Sequence, residues 1–345
     1  MMLIESYSFP SAGKLSASLK TAPLSYAGQG VNIQHQIQTT QPTDLYHTYS
    51  EMTALLQSLA ATYPDIMSVS SIGETYEGRN LWLVKISDNV NQDEQEPGVL
   101  FMGAHHGNEK SSYEVCLYFI QYMVEHYDNA STPEVRTSIN ATQIYLIPMV
   151  NPDGVERDMR KDREPNHGSF GFRRQVTSYG VDLNRNYGQH WLYLFLFPYI
   201  FSGSTSWVDS SDVYRGPWPF SANETKAVRQ FVITHNISLS ISYHSYGELV
   251  LYPWGYTTRP PKDKSLFVSI GSNISTFDKY QVEQSIRLYP TLGDSCDWMY
   301  ATQRIFAFTI ELGTSYAPSD PEVLQNLCVN HTIVNLYICQ RAQTL

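Results

Sequence analysis

The chain has 345 residues, 42% of them hydrophobic and 16% charged, which suits one large globular domain or two small ones. Its net charge of −10 argues against nucleic-acid binding, which needs a basic face to neutralise phosphates. No apolar run reaches the roughly 18–20 residues that span a bilayer; residues 191–201 come nearest, and they contain Pro198.

Residues 1–44 are rich in Ser, Thr, Gln and Ala with no apolar period, and read as a loosely structured arm or the remnant of a pro-segment. Residues 1–10 show neither the basic nor the apolar stretch of a signal peptide. A single folded domain is expected over 45–345. Residues 50–63 place Met52, Leu55, Leu56, Leu59 and Tyr63 on one helical face, and Pro64 stops the helix. Strand-like runs follow at 67–72, 81–86, 99–102, 144–150, 237–243 and 305–310, with helical patterns at 112–126, 222–235 and 322–338. This alternation predicts an α/β fold, a mixed and mostly parallel twisted sheet with helices on both faces. Sites in such sheets gather where strands end in loops. Polar clusters sit at four such ends: 103–109, 151–154, 244–246 and Glu311. The apolar run at 191–201 reads as core packing in preference to a rim, a partner contact or a surface anchor.

Cys116, Cys296, Cys328 and Cys339 show no CxxC spacing, so a cysteine metal site is not expected. On one predicted C-terminal helix, Cys328 and Cys339 stand about 16 Å apart, too far for a disulfide. Six N-x-S/T sequons, at Asn129, Asn140, Asn223, Asn236, Asn273 and Asn330, favour an extracellular or cell-surface location.

In Gly103-Ala104-His105-His106-Gly107-Asn108-Glu109, the side chains of His106 and Glu109 can reach one ion if the chain turns there. A catalytic zinc takes three protein ligands and keeps a position open; two histidines and a glutamate are an established set. His244, at the end of the 237–243 run, is the best second histidine. His-x-x-Glu alone is a weak signal, and a solvated His–Glu pair is its plain alternative. His105 reads as a structural neighbour.

These residues resemble the carboxypeptidase A family of zinc peptidases, which places His-x-x-Glu after a strand and a third ligand much later in a His-Ser-Tyr context. Here that context is His244-Ser245-Tyr246. The resemblance continues through Asn151-Pro152-Asp153-Gly154, Arg160-Lys161, Asp182-Leu183-Asn184-Arg185-Asn186, Tyr214-Arg215-Gly216, Tyr289-Pro290, Asp297-Trp298 and Thr309-Ile310-Glu311. It covers roughly residues 46–340.

The resemblance implies one Zn²⁺ on His106, Glu109 and His244, and peptide or protein C-termini as substrate. Glu311 would be the general base and Arg160 the cation facing the oxyanion. Asn184 and Arg185 would grip the terminal carboxylate, a task that suits a planar guanidinium. Tyr289 would close over the substrate, with Tyr246 on the substrate side of the site. Asp182 would orient a ligand histidine. Asn108 departs from the arginine common there in animal digestive members. Cys296 falls at the base of the terminal-residue pocket and is neutral, while Asp294 could still reach a basic side chain. A broad pocket leaning to hydrophobic termini is expected. An alternative within the same chemistry is a zinc peptidase or amidase acting on cell-wall peptides or side-chain amides. A non-catalytic binding module is disfavoured, because such proteins lose a ligand or the base.

Overall fold

A computed structural model describes residues 44–166 and 176–345. The expected arm over 1–44 lies outside the described residues, Asp44 excepted. Helix α1 (Tyr49–Thr62) opens on a capping box between Thr48 and Glu51 and buries Met52, Leu55, Leu56 and Leu59. It leads into β1 (Met67–Glu74) and β2 (Asn80–Ile86), an antiparallel pair. Next come β3 (Gly98–Met102), α2 (Ser111–His126), α3 (Pro133–Ile139) and β4 (Gln143–Ile147). Strand β4 stops earlier than its apolar run because Pro148 cannot donate to a ladder. The one-turn α4 (Pro152–Val155) follows, then a two-residue pair, β5 (Pro165–Asn166) with β6 (Ser178–Tyr179). Two further single turns are α5 (Tyr193–Leu196) and α6 (Pro198–Phe201). The chain continues through α7 (Asn223–Thr234), β7 (Ile237–His244), β8 (Leu249–Tyr252), α8 (Lys264–Asp278) and β9 (Gln281–Gln284). It ends with α9 (Ser295–Gln303), β10 (Phe306–Glu311) and α10 (Pro321–Ala342).

Eight strands form one sheet in the order β1-β2-β4-β3-β7-β10-β8-β9. The central run β4-β3-β7-β10 is parallel, flanked by antiparallel pairings at β2–β4 and β10–β8. Parallel neighbours need crossover connections, and these cover both faces of the sheet. Alternation along β3 shows it. Leu100 and Met102 share a core with Val228, Phe231 and Val232 of α7 and with Trp298 and Met299 of α9. Phe101 points the other way and meets Phe119 of α2, ring centroids 5.4 Å apart. The architecture is therefore the expected α/β one. Because β3, β7 and β10 run parallel, their carboxyl ends emerge on one edge. The register sets Met102 beside Ser242 and Glu311 beside His244, and the site stands on that edge.

The apolar run at 191–201 corrects the expectation of core packing. Among its described side chains only Trp191, Leu194 and Phe201 are buried, while Leu192, Phe195, Leu196, Phe197, Tyr199 and Ile200 are exposed. Two single helical turns joined at Pro198 cannot turn so many consecutive apolar side chains inward. All four cysteines are free and buried.

Candidate active site

The loop after β3 is built by close backbone approach. A Cβ on Gly103 would lie 2.6 Å from the carbonyl oxygens of Pro148 and Ser112, and one on Gly107 would lie 2.1 Å from the carbonyl carbon of Gly154. Only glycine lets this loop seat against the 151–154 turn. Asn151 fastens the two together. Its amide N donates to Ala104 O at 2.9 Å, and its Oδ1 accepts from Gly154 N at 2.9 Å. Its Nδ2 donates to Arg160 O at 3.2 Å, which ties the arginine segment to the same frame.

Three donor groups converge in this frame. His106 Nδ1 lies 2.7 Å from Glu109 Oε1, His244 Nδ1 lies 2.8 Å from Glu109 Oε2, and the two Nδ1 atoms are 3.3 Å apart. One ligand atom from each residue falls within 4.8 Å of the others, and all three side chains are buried. The outer ring nitrogens are already engaged. His106 Nε2 is 3.0 Å from Asp182 Oδ1, and His244 Nε2 is 3.1 Å from Ser242 Oγ. Such outer partners fix ring orientation and leave the inner lone pairs for a cation. Burial pushes His244 below the ordinary histidine range against the pull of Glu109, favouring the neutral ring a ligand must be. Burial would raise Glu109, but His106 and His244 hold it below the usual carboxylate range. With its Nε2 donating to Asp182, a neutral His106 ring turns its Nδ1 lone pair onto a carboxylate oxygen of Glu109, acceptor against acceptor, and one divalent cation between the three groups would satisfy them. The donor set fits zinc.

Around it stand the other predicted residues. Arg160 forks onto Asp182 Oδ2 through Nε at 3.0 Å and Nη2 at 2.8 Å, and its Nη1 lies 3.7 Å from Glu109 Oε1. Burial alone would raise Asp182, yet Arg160, then Arg185 and His106, hold it well below the usual range. One carboxylate thus aligns both the histidine and the arginine. Glu311, 8% exposed, ends β10 beside His244. Burial, and then the charge of Glu109, push its carboxyl up to about 8, while Arg160 and Arg185 pull it down. Arg185 is buried; its Nε donates to Ser204 O at 2.5 Å, and its Nη2 lies 3.4 Å from the Tyr289 hydroxyl. Asn184 Nδ2 touches His244 Nε2 at 3.3 Å, and its Oδ1 accepts from Ser295 N at 3.0 Å. Tyr289 and Tyr246 are exposed, and the Tyr246 ring meets that of Tyr316 edge-on at 5.1 Å. Cys296 is buried with its Sγ 3.1 Å from Thr309 Oγ1. Asp294 caps α9 through Oδ1, while its buried Oδ2 has no partner.

Three contributors were not read from the sequence as part of the site. Ser242 Oγ sits between His244 Nε2 and His105 Nδ1, 3.0 Å from the latter. His105 stacks on His244 at 5.5 Å and meets the Tyr187 hydroxyl at 2.9 Å. The signal for Ser242 was available: it stands two residues before His244 on one strand, hence on the same face.

Two buried imidazoles and a carboxylate at the carboxyl edge of an α/β sheet, with an arginine and a second glutamate beside them, are the donor set and surroundings that suit a zinc hydrolase. A family model described as zinc carboxypeptidase matches residues 52–326. The chain is 32% identical over 315 residues to a zinc carboxypeptidase of Saccharothrix mutabilis subsp. capreolus, covering 85% of this chain and 69% of that protein. It is 30% identical over 283 residues to carboxypeptidase B of Astacus astacus, covering 77% of this chain and 86% of that protein. The crystal structure of carboxypeptidase A from Helicoverpa armigera superposes with a TM-score of 0.72 and 25% identity, over 86% of this chain and 73% of that one. That of thrombin activatable fibrinolysis inhibitor gives a TM-score of 0.74 at 23% identity, over 87% and 75%. The chain belongs to the zinc carboxypeptidase family. It is a zinc-dependent metallocarboxypeptidase, a hydrolase whose substrates are peptide C-termini.

Proposed function

We propose that the chain releases single C-terminal residues from peptides and proteins, with His106, Glu109 and His244 holding one zinc. The observation that carries this reading is the convergence of those three donors beside Glu311 and a buried Arg185. Zinc bound there supplies Lewis acidity and lowers the pKa of water toward about 7. Glu311 takes the proton of the attacking water and hands it to the leaving amine. Its carboxyl must be ionised to do so, and a cation held by Glu109 offsets the charge that pushes Glu311 up. Arg160, aligned by Asp182, faces the oxyanion and stabilises it as a preorganised donor. Asn184 and Arg185 orient the terminal carboxylate, Tyr289 closes over it, and Tyr246 lines the upstream side. The six sequon asparagines are all exposed, which supports an extracellular or cell-surface setting.

The terminal-residue pocket is read as broad and leaning to hydrophobic side chains, because the position at its base is the neutral Cys296. Asp294 is an acid near that base, with Oδ2 buried and unpartnered. A long cationic side chain passing Cys296 would give that oxygen a donor. Asp294→Asn keeps the helix cap, since asparagine caps as well as aspartate. It should slow release of C-terminal Lys or Arg by about tenfold or more, the loss of one charge-assisted hydrogen bond. Release of C-terminal Phe should change little. Equal effects on kcat/KM for Lys and Phe substrates would place Asp294 outside the pocket.

A further inference from the structure

Among the described residues, the 191–208 segment presents an apolar face to solvent. Trp191, Leu194 and Phe201 turn inward, and the last two pack with Leu292. Arg215 secures the base: 1% exposed, its guanidinium lies 3.6 Å from the Trp191 ring centroid and 4.9 Å from that of Phe195. On this base stand side chains that protrude into solvent, Tyr199 at 96% exposure and Leu196 at 66%. The Phe195 and Trp207 rings stack at 5.9 Å, both well exposed. No Asp, Glu, Lys or Arg occurs between Arg185 and Asp209.

We propose that this face docks on a zwitterionic lipid–water interface. Three features select that occupant. The face is uncharged on a chain of net charge −10, so it matches an electrically neutral surface and not an anionic one. Tyr199, Leu196, Leu192 and Phe195 are 96%, 66%, 64% and 61% exposed, which leaves these side chains free to enter an apolar layer. Its mixture of Trp, Tyr and Phe with Leu and Ile is that of interfacial anchors, which sink shallowly at headgroup depth. The docked face is also joined to the substrate end of the site. Ser204 accepts from Arg185 Nε at 2.5 Å, its hydroxyl donates to Pro290 O next to Tyr289, and Leu292 N donates to Thr205 Oγ1 at 3.3 Å. Docking therefore holds the carboxylate-gripping arginine near the lipid surface and favours polypeptide C-termini presented there.

The test is cosedimentation of the full chain with phosphatidylcholine vesicles at low and high salt. Binding should persist at high salt, because the attraction is apolar and not screened. Leu196→Asp combined with Ile200→Asp should reduce the bound fraction by at least about tenfold, given the cost of placing carboxylates in a bilayer. Both positions are exposed, so far-ultraviolet circular dichroism and hydrolysis of a soluble blocked dipeptide should stay unchanged. Four results overturn the proposal. The chain remains in the supernatant; the double variant sediments like the wild type; only anionic vesicles bind, and salt abolishes it; or sedimentation velocity shows a dimer that the same substitutions dissolve, with a second copy covering the face.

Discussion

Glu311→Gln is expected to lower kcat by about 10²–10⁴-fold, the contribution of a positioned general base. The substitution preserves size, and the backbone of Glu311 remains paired with that of His244 in the β10–β7 ladder. Fold and zinc content should be those of the parent, because Glu311 is not one of the three converging donors. Glu109→Gln should do the opposite and weaken metal binding first, since it replaces the only anionic donor of the set. Metal stoichiometry and single-turnover rates separate the two. Near-normal kcat in Glu311→Gln would assign the base to another group.

Amidating a peptide's C-terminus should slow its cleavage by at least about a hundredfold. The change removes the charge that Arg185 is proposed to meet. Arg185 is 2% exposed and holds itself in place through Ser204 O and Asn184 O, leaving the Nη2 side toward Tyr289. A buried charged donor facing a neutral group costs about 3–5 kcal/mol, and each 1.4 kcal/mol is about tenfold. Part of the loss should appear in kcat, because binding energy at the terminus orients the scissile bond. Arg185→Ala should erase most of the difference by slowing the free acid alone. Equal rates on both peptides, with cuts at internal bonds, would indicate an endopeptidase.

The fold was legible in the sequence where one period dominated. The buried strands β3, β4, β7 and β10 read as short apolar runs, and α1 and α2 as helical stripes. Strand β9 did not, because Gln281-Val282-Glu283-Gln284 is a polar edge strand with little to bury. Helix α8 did not, because Ser and β-branched residues blur its stripe. Among the site residues, order along the chain pointed to His106, Glu109, His244 and Glu311 because each falls at or just past the carboxyl end of a strand. What stayed hidden were the partners that depend on folding: the fork of Arg160 on Asp182 and the contacts of Ser242 with both His105 and His244. The sequence chose His106 over the adjacent His105 through the His-x-x-Glu spacing. The structure separates them by neighbours, giving His106 to Glu109 and Asp182, and His105 to Ser242 and Tyr187. The run at 191–201 carries no period at all, so its inward and outward sides had to come from the two turns α5 and α6.

The central claim is that peptide C-termini are cut by zinc held on His106, Glu109 and His244. The direct measurement is metal content by elemental analysis, paired with release of free amino acid from a blocked dipeptide before chelation, after chelation and after zinc is returned. One zinc per chain, loss of release on chelation and its recovery with zinc are the predicted results, with His244→Ala binding zinc far more weakly. Undiminished release from the metal-free protein would contradict the account.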